Sequence, residues 1–385
     1  MMLAFAALMG FLLASPATQS SPNLREARPQ QNRPAPKIFS SRTSSFAQLS
    51  QAAERARNEN RDDDAIGLYQ RALALQPAWK EGLWFLSTLL YEKQSYSESR
   101  NLLRRFVAQE PKAGPAWALL GMSEFQTREY TRSLDHLQRA MALGMGDRKD
   151  MIQSVFYFVA VLLTRFERYS ESTNMMIAMV KSGDRTDLLV EPLGLSALRL
   201  PFLPSEIPAD RRELIRMAGR AALAMESQQQ AEAEKLFAAM AETYSQEPGV
   251  HFLYGTLLLD RQPEEGIKEM KRELEISPYH VPARLRLAEE YVREQQIDPA
   301  FHFSQEAAKF EPENPHAHMI LGEVLIAKGD LTGGIQELES ARSQAPESVR
   351  IHWDLLKAYT SAGRDDDAKR EKEEIENLNR PKANE

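Results

Sequence analysis

Residues 312–346 read PENPHAHMILGEVLIAKGDLTGGIQELESARSQAP, from Pro312 to Pro346. Leu321, Gly322 and Leu325 fall at helical spacing, and so do Ile335, Leu338 and Ala341. The polar run Lys328-Gly329-Asp330 separates the two sets. This pattern predicts two amphipathic helices joined by a tight turn. A proline follows the second helix, which it cannot continue, and fixes the turn into whatever comes next.

The same spacing recurs outward from this stretch. The interval from Pro278 to Pro312 equals that from Pro312 to Pro346, and Pro77 to Pro111 repeats it. Trp117 follows Leu83 by the same interval. Arg-Asp-Asp-Asp-Ala occurs at 61–65 and again at 364–368, and Tyr-Ser-Glu-Ser at 96–99 and 169–172. A fixed period of this length means one helical hairpin per repeat, each burying its apolar face against the next. Gly121, Gly255, Ala288 and Gly322 stand where the two helices of a hairpin cross and a small residue lets the backbones approach. The acidic triplets open a second helix, where their charge complements the helix dipole.

The pattern resembles the tetratricopeptide repeat family, in its secreted or periplasmic bacterial form. The family places large residues at positions 4, 7, 11 and 24, small ones at 8, 20 and 27, and proline at 32. Units starting at 46, 80, 114, 281 and 315 fit this pattern. Leu287, Ala288, Tyr291, Ala300, Ala307 and Pro312 match it in one unit, and Ala53, Ala65, Tyr69, Ala72 and Pro77 in another. Unit 80–113 departs with Ser87 and Phe106 at two small positions. Further units start near 148, 214, 248 and 349, and the last carries Lys372 and a Glu-rich stretch, as suits a polar capping helix. The resemblance implies an all-α, right-handed α-solenoid of eight or nine hairpins, with a Pro-rich apolar insert between two arrays.

The expected domains are a signal peptide at 1–17, a disordered Pro-rich basic linker at 18–45, and an N-terminal array at 46–184. A non-repeat connector at 185–212, a C-terminal array at 213–380 and a tail at 381–385 complete them. Residues 1–14 are apolar, too short to span a bilayer comfortably, and followed by Ala14, Ser15 and Ala17, which is the form of a secretory leader. No Lys or Arg precedes the run. The expected location is periplasmic or secreted. A lipoprotein is excluded because no cysteine follows. The linker holds Arg25, Arg28, Arg33, Lys37 and Arg42 against Glu26 and has few aliphatic residues. The connector is apolar instead, with Pro192, Pro201, Pro204 and Pro208 excluding a long helix while allowing a short one at 193–199.

Composition narrows the function. The chain has no cysteine, which excludes thiolate metal sites, iron–sulfur centres and thiol nucleophiles. A net charge of −7 argues against a nucleic-acid partner. The sequence holds no His-Glu-x-x-His helix, phosphate-binding glycine loop or nucleophile elbow. His316 and His318 are two apart on a helix and point to different faces, a poor metal pair. No cofactor and no catalysis are expected.

In the resembled family, positions 2, 5, 9 and 12 line a concave groove. Here they include Trp84, Tyr91, Met122, Phe125, Phe156 and Val159, an apolar set, and Glu289, Glu323 and Trp353, a more charged one. One reading makes them anchors for a partner peptide or helix. The other makes the apolar set core, covered by the connector's leucines. The carboxylate-clamp pattern of chaperone-binding members is absent, with Trp84, Phe85, Thr88, Leu285, Arg286 and Glu289 at those positions. The expected role is a protein-binding scaffold in envelope or secretion assembly. A self-associating structural protein and the recognition arm of an enzyme complex are the alternatives. Membrane contact is expected only through an uncleaved leader.

Overall fold

The computed structural model describes residues 45–183 and 186–380. The signal-peptide segment, nearly all of the basic linker and the tail at 381–385 lie outside the described residues. Within them the regular structure is helical throughout, with no strand. The chain divides into two compact units, one running to Arg212 and one from Glu213.

Unit 1 holds four hairpins. They pair α1 (Phe46–Asn58) with α2 (Asp62–Leu75), α3 (Lys80–Glu92) with α4 (Tyr96–Gln109), α5 (Gly114–Gln126) with α6 (Tyr130–Leu143), and α7 (Lys149–Arg165) with α8 (Tyr169–Lys181). A ninth helix, α9 (Thr186–Ala197), and a 3-10 turn at Pro204–Glu206 follow.

Unit 2 holds five hairpins, whose first begins at the unit boundary. They pair α10 (Arg212–Glu226) with α11 (Gln230–Thr243), α12 (Val250–Leu259) with α13 (Pro263–Ile276) and α14 (Val281–Arg293) with α15 (Ile297–Phe310). The last two pair α16 (Pro315–Ala327) with α17 (Leu331–Gln344) and α18 (Val349–Ser361) with α19 (Asp365–Leu378).

Eight of the nine turns inside the described hairpins, all but that between α12 and α13, share one device. The first helix ends in a residue of left-handed backbone, with φ between 56° and 62° at Asn60, Gln94, Arg128, Glu167, Gln228 and Gln295 and larger values at Gly329 and Gly363. That geometry lets the next amide reach back to close the helix, as in Ser95 N–H to the Leu90 carbonyl at 2.8 Å and Asp330 N–H to the Leu325 carbonyl at 2.9 Å. The repeated acidic triplets then stand in the first turns of α2 and α19. In both copies the leading arginine pairs with the third aspartate, Arg61 with Asp64 and Arg364 with Asp367.

Helix crossings are set by small residues. A Cβ on Gly121 would stand 2.7 Å from Leu137 Cγ, and one on Gly322 would stand 2.8 Å from Leu338 Cγ and 2.9 Å from the Gly334 carbonyl oxygen. Around these crossings, Leu83, Leu103, Leu120, Leu137 and Met176 are buried in unit 1, and Phe237, Met270, Leu287, Leu338 and Leu355 in unit 2. Each such side chain contributes roughly 1.5–3 kcal/mol through burial.

The connector departs from expectation. Its helix begins at Thr186 rather than 193 and carries Pro192 in its interior. Tertiary burial compensates for the lost backbone bond: Leu189, Leu193, Leu195 and Leu198 are all buried. Polar ties hold the segment in unit 1. Ser196 Oγ donates to the Tyr169 carbonyl at 3.0 Å, Arg165 Nη1 donates to the Pro201 carbonyl at 2.7 Å, and Arg212 Nη1 donates to Glu191 Oε1 at 2.8 Å.

Candidate partner-binding surface

In unit 1 the anticipated groove residues sit on the first helices α3, α5 and α7. Met122, Phe125 and Val159 are buried, and so is Tyr91. The Phe125 ring centroid is 4.6 Å from that of Phe158 and 5.6 Å from that of Tyr130. Tyr91 packs 5.2 Å from Tyr96, and burial pushes its phenol above the usual range. An open apolar groove is therefore not found at these four positions: Phe125 is covered by Phe158 of the next first helix and by Tyr130, and Tyr91 by Tyr96 of its own second helix. Trp84 and Phe156 remain half-buried. Trp84 stacks near Phe106, with ring centroids 5.6 Å apart. The connector's Leu203 and Ile207 are buried within the same unit.

Unit 2 is different. Glu289, Glu323 and Lys357 occupy the same repeat position on α14, α16 and α18, one full repeat separating each from the next. Two of them reach to the following first helix. His316 Nε2 lies 3.3 Å from Glu289 Oε1, and Arg350 Nη2 donates to Glu323 Oε1 at 3.0 Å. The contact repeats because each of these basic side chains stands second in its own first helix. Arg286 also donates to Glu289, at 3.1 Å. Burial alone would raise the Glu289 carboxyl, but His316 and Arg286 hold it below its ordinary range. At Glu323 burial wins. Arg350 opposes it and the facing Asp354 carboxyl adds to it, leaving the group pushed up to about 7.

Asp354 accepts from Lys357 at 3.4 Å, and Trp353 is 47% exposed beside it. Of the anticipated residues, Glu289 and Glu323 are thus linked through His316 and Arg350, and Trp353 stands on the same helix as Arg350, three residues on. Only the first-helix register pointed to these partners in sequence.

Sequence reasoning also passed over a polar bridge at position 4 of the repeat. His318 Nε2 donates to the Pro312 carbonyl at 2.8 Å while Nδ1 meets Glu337 Oε2 at 2.6 Å. His352 does the same with Pro346 and Glu371, and His251 with Ser245 and Glu269. In unit 1, Trp117 fills the position and Nε1 donates to the Pro111 carbonyl at 2.9 Å. A recurrent spacing of 19 residues between His and Glu was the available signal.

Among the described residues no helix is long and apolar enough to cross a membrane. A tetratricopeptide repeat family model matches residues 86–148 and 285–349. A segment is 23% identical over 129 residues to the general transcriptional corepressor trfA of Dictyostelium discoideum, covering 34% of this chain and 9% of that protein. The chain thus spans under a tenth of that relative's length. Among solved structures, MamA of Desulfovibrio magneticus RS-1 aligns with 43% of this chain and 93% of its own, at 18% identity and a TM-score of 0.38. MamA AMB-1 aligns with 42% and 96%, at 19% identity and 0.37.

Proposed function

The chain is a tetratricopeptide repeat protein, and from that premise we propose that it is a non-catalytic scaffold holding a partner segment along the first helices of unit 2. The observation that carries this reading is the surface formed by Glu289, Glu323, Arg350 and Trp353. It carries ion pairs from one first helix to the next and keeps a large aromatic ring in water, as binding surfaces do. The matching apolar positions of unit 1 support the choice of unit 2, since most of them are spent on packing.

We place the protein outside the cytoplasm, in envelope or secretion assembly, on the leader-like residues 1–17. Fusion of the chain to a reporter enzyme active only in an oxidising compartment tests this; a silent fusion with intact protein would refute it.

The scaffold reading is tested by affinity capture from an envelope extract with the full chain and its Trp353→Ala variant. The variant should melt like the parent, because the ring is exposed. A partner retained by the parent and lost by the variant is the expected result. Equal recovery by both would move recognition away from this surface.

A further inference from the structure

We infer that the first-helix surface of unit 2 takes an acidic peptide segment, with an apolar side chain against Trp353 and a carboxylate on Lys357. The inference rests on the scaffold reading above and names the chemistry of its partner.

The argument starts from how the charges are layered. The carboxylates of this surface lie deep: side-chain exposure is 23% at Glu289, 28% at Glu323 and 14% at Asp354. The cations lie outside, at 54% for Arg350 and 73% for Lys357. His316 and Arg286 are likewise more exposed than the Glu289 they bind. A partner approaching from solvent therefore meets cations first. The acids beneath serve to hold those basic side chains in place.

The second observation is a break in the repeat. Glu289 is met by a basic side chain from the next first helix, His316, and Glu323 by Arg350. At the third register position the residue is Lys357, opposite in sign, and α18 is the last first helix among the described residues. Lys357 meets Asp354 at 3.4 Å, a long contact to a carboxylate already shared with Arg350 at 4.0 Å. Charge complementarity thus selects a partner with carboxylates at this edge. Trp353 lies four residues before Lys357, one helical turn away on the same face, and supplies the apolar contact.

The test is selection of a random peptide display library on the full chain, with the Trp353→Ala and Lys357→Glu variants as counter-targets. Both side chains are exposed, and matching melting curves establish that the variants fold. The expected result is a set of peptides rich in Asp and Glu beside an aromatic or aliphatic residue. A synthetic peptide from that set should bind Lys357→Glu about tenfold or more weakly than the parent, the size of a lost charge-assisted hydrogen bond. Added salt should weaken parent binding. Peptides lost on Trp353→Ala but rich in Lys and Arg, or without charge bias, would overturn the acidic class and leave the scaffold reading standing. Peptides held equally by the parent and both variants would overturn this site and count against the scaffold reading at this face. Recovery of no peptide would overturn the inference as well.

Discussion

His318 and Glu337 stand 19 residues apart, and His318 Nδ1 meets Glu337 Oε2 at 2.6 Å while its Nε2 donates to the carbonyl of Pro312. One side chain of a first helix thereby ties the second helix of its own hairpin to the loop that precedes it. The carbonyl can only accept, so the proton on Nε2 is assigned by its partner. Replacement of His318 by Ala removes both ties and leaves a part-buried carboxylate without its ring. Stability should fall by about 2–3 kcal/mol. His318→Trp should lose less, because Trp117 makes the matching carbonyl bond in unit 1. Urea midpoints of the three proteins check this order; an unchanged midpoint for His318→Ala would remove the bridge from any account of stability.

Two glycines should respond oppositely to Ala. At Gly322 the new methyl would stand 2.8 Å from Leu338 Cγ and 2.9 Å from a backbone carbonyl oxygen. The crossing must open, at a cost of about 1–3 kcal/mol. Gly67, inside α2, has nothing within 4 Å of the same atom, so Gly67→Ala should stabilise by about 0.5–1 kcal/mol through the gain in helix propensity. Thermal melts of the pair decide it, and a shift of the same sign in both would contradict the crossing geometry.

Phe125 gives a test of core against groove. Its ring is buried between Phe158 and Tyr130. Phe125→Ala should destabilise by about 3–5 kcal/mol, as expected for deletion of a packed ring. Calorimetry on the variant would show a large downward shift in Tm. A near-native melt would return Phe125 to the list of partner contacts.

Glu323 should make stability depend on pH. Burial raises its carboxyl from 4.5 to about 7 in the folded chain. A group raised in this way binds a proton in the folded state that the unfolded state has released. Its contribution is therefore complete below 4.5 and is lost as pH rises through about 7. Glu323→Gln cannot ionise. The difference in urea midpoint between parent and variant should change steadily across that interval, to the parent's disadvantage as pH rises. A constant difference would show that the carboxyl does not titrate there.

The repeat was legible in the sequence because it rests on local and periodic chemistry. Prolines at one recurring interval, apolar residues at helical spacing and glycines at crossings each act within one hairpin or on its neighbour. Such short-range contacts need no knowledge of distant chain. The same register placed Glu289, Glu323 and Trp353 on one surface. It did not separate them from Tyr91, Met122, Phe125 and Val159, which hold equivalent positions, because position in a repeat states direction and not what covers it.

The sequence by itself determined the hairpin, its period, its turns and the acidic starts of α2 and α19, since backbone geometry and side-chain size dictate these locally. Only the tertiary structure decided which first-helix residues face water. Packing closed over Tyr91, Met122, Phe125 and Val159 in unit 1 and left Trp84 and Phe156 half-buried. In unit 2, half-buried carboxylates pair with more exposed basic side chains, and Trp353 stays largely in water. The helix at 186–197 belongs to the same class: its interior proline opposes helix formation locally, and burial of its leucines against the rest of unit 1 outweighs that cost.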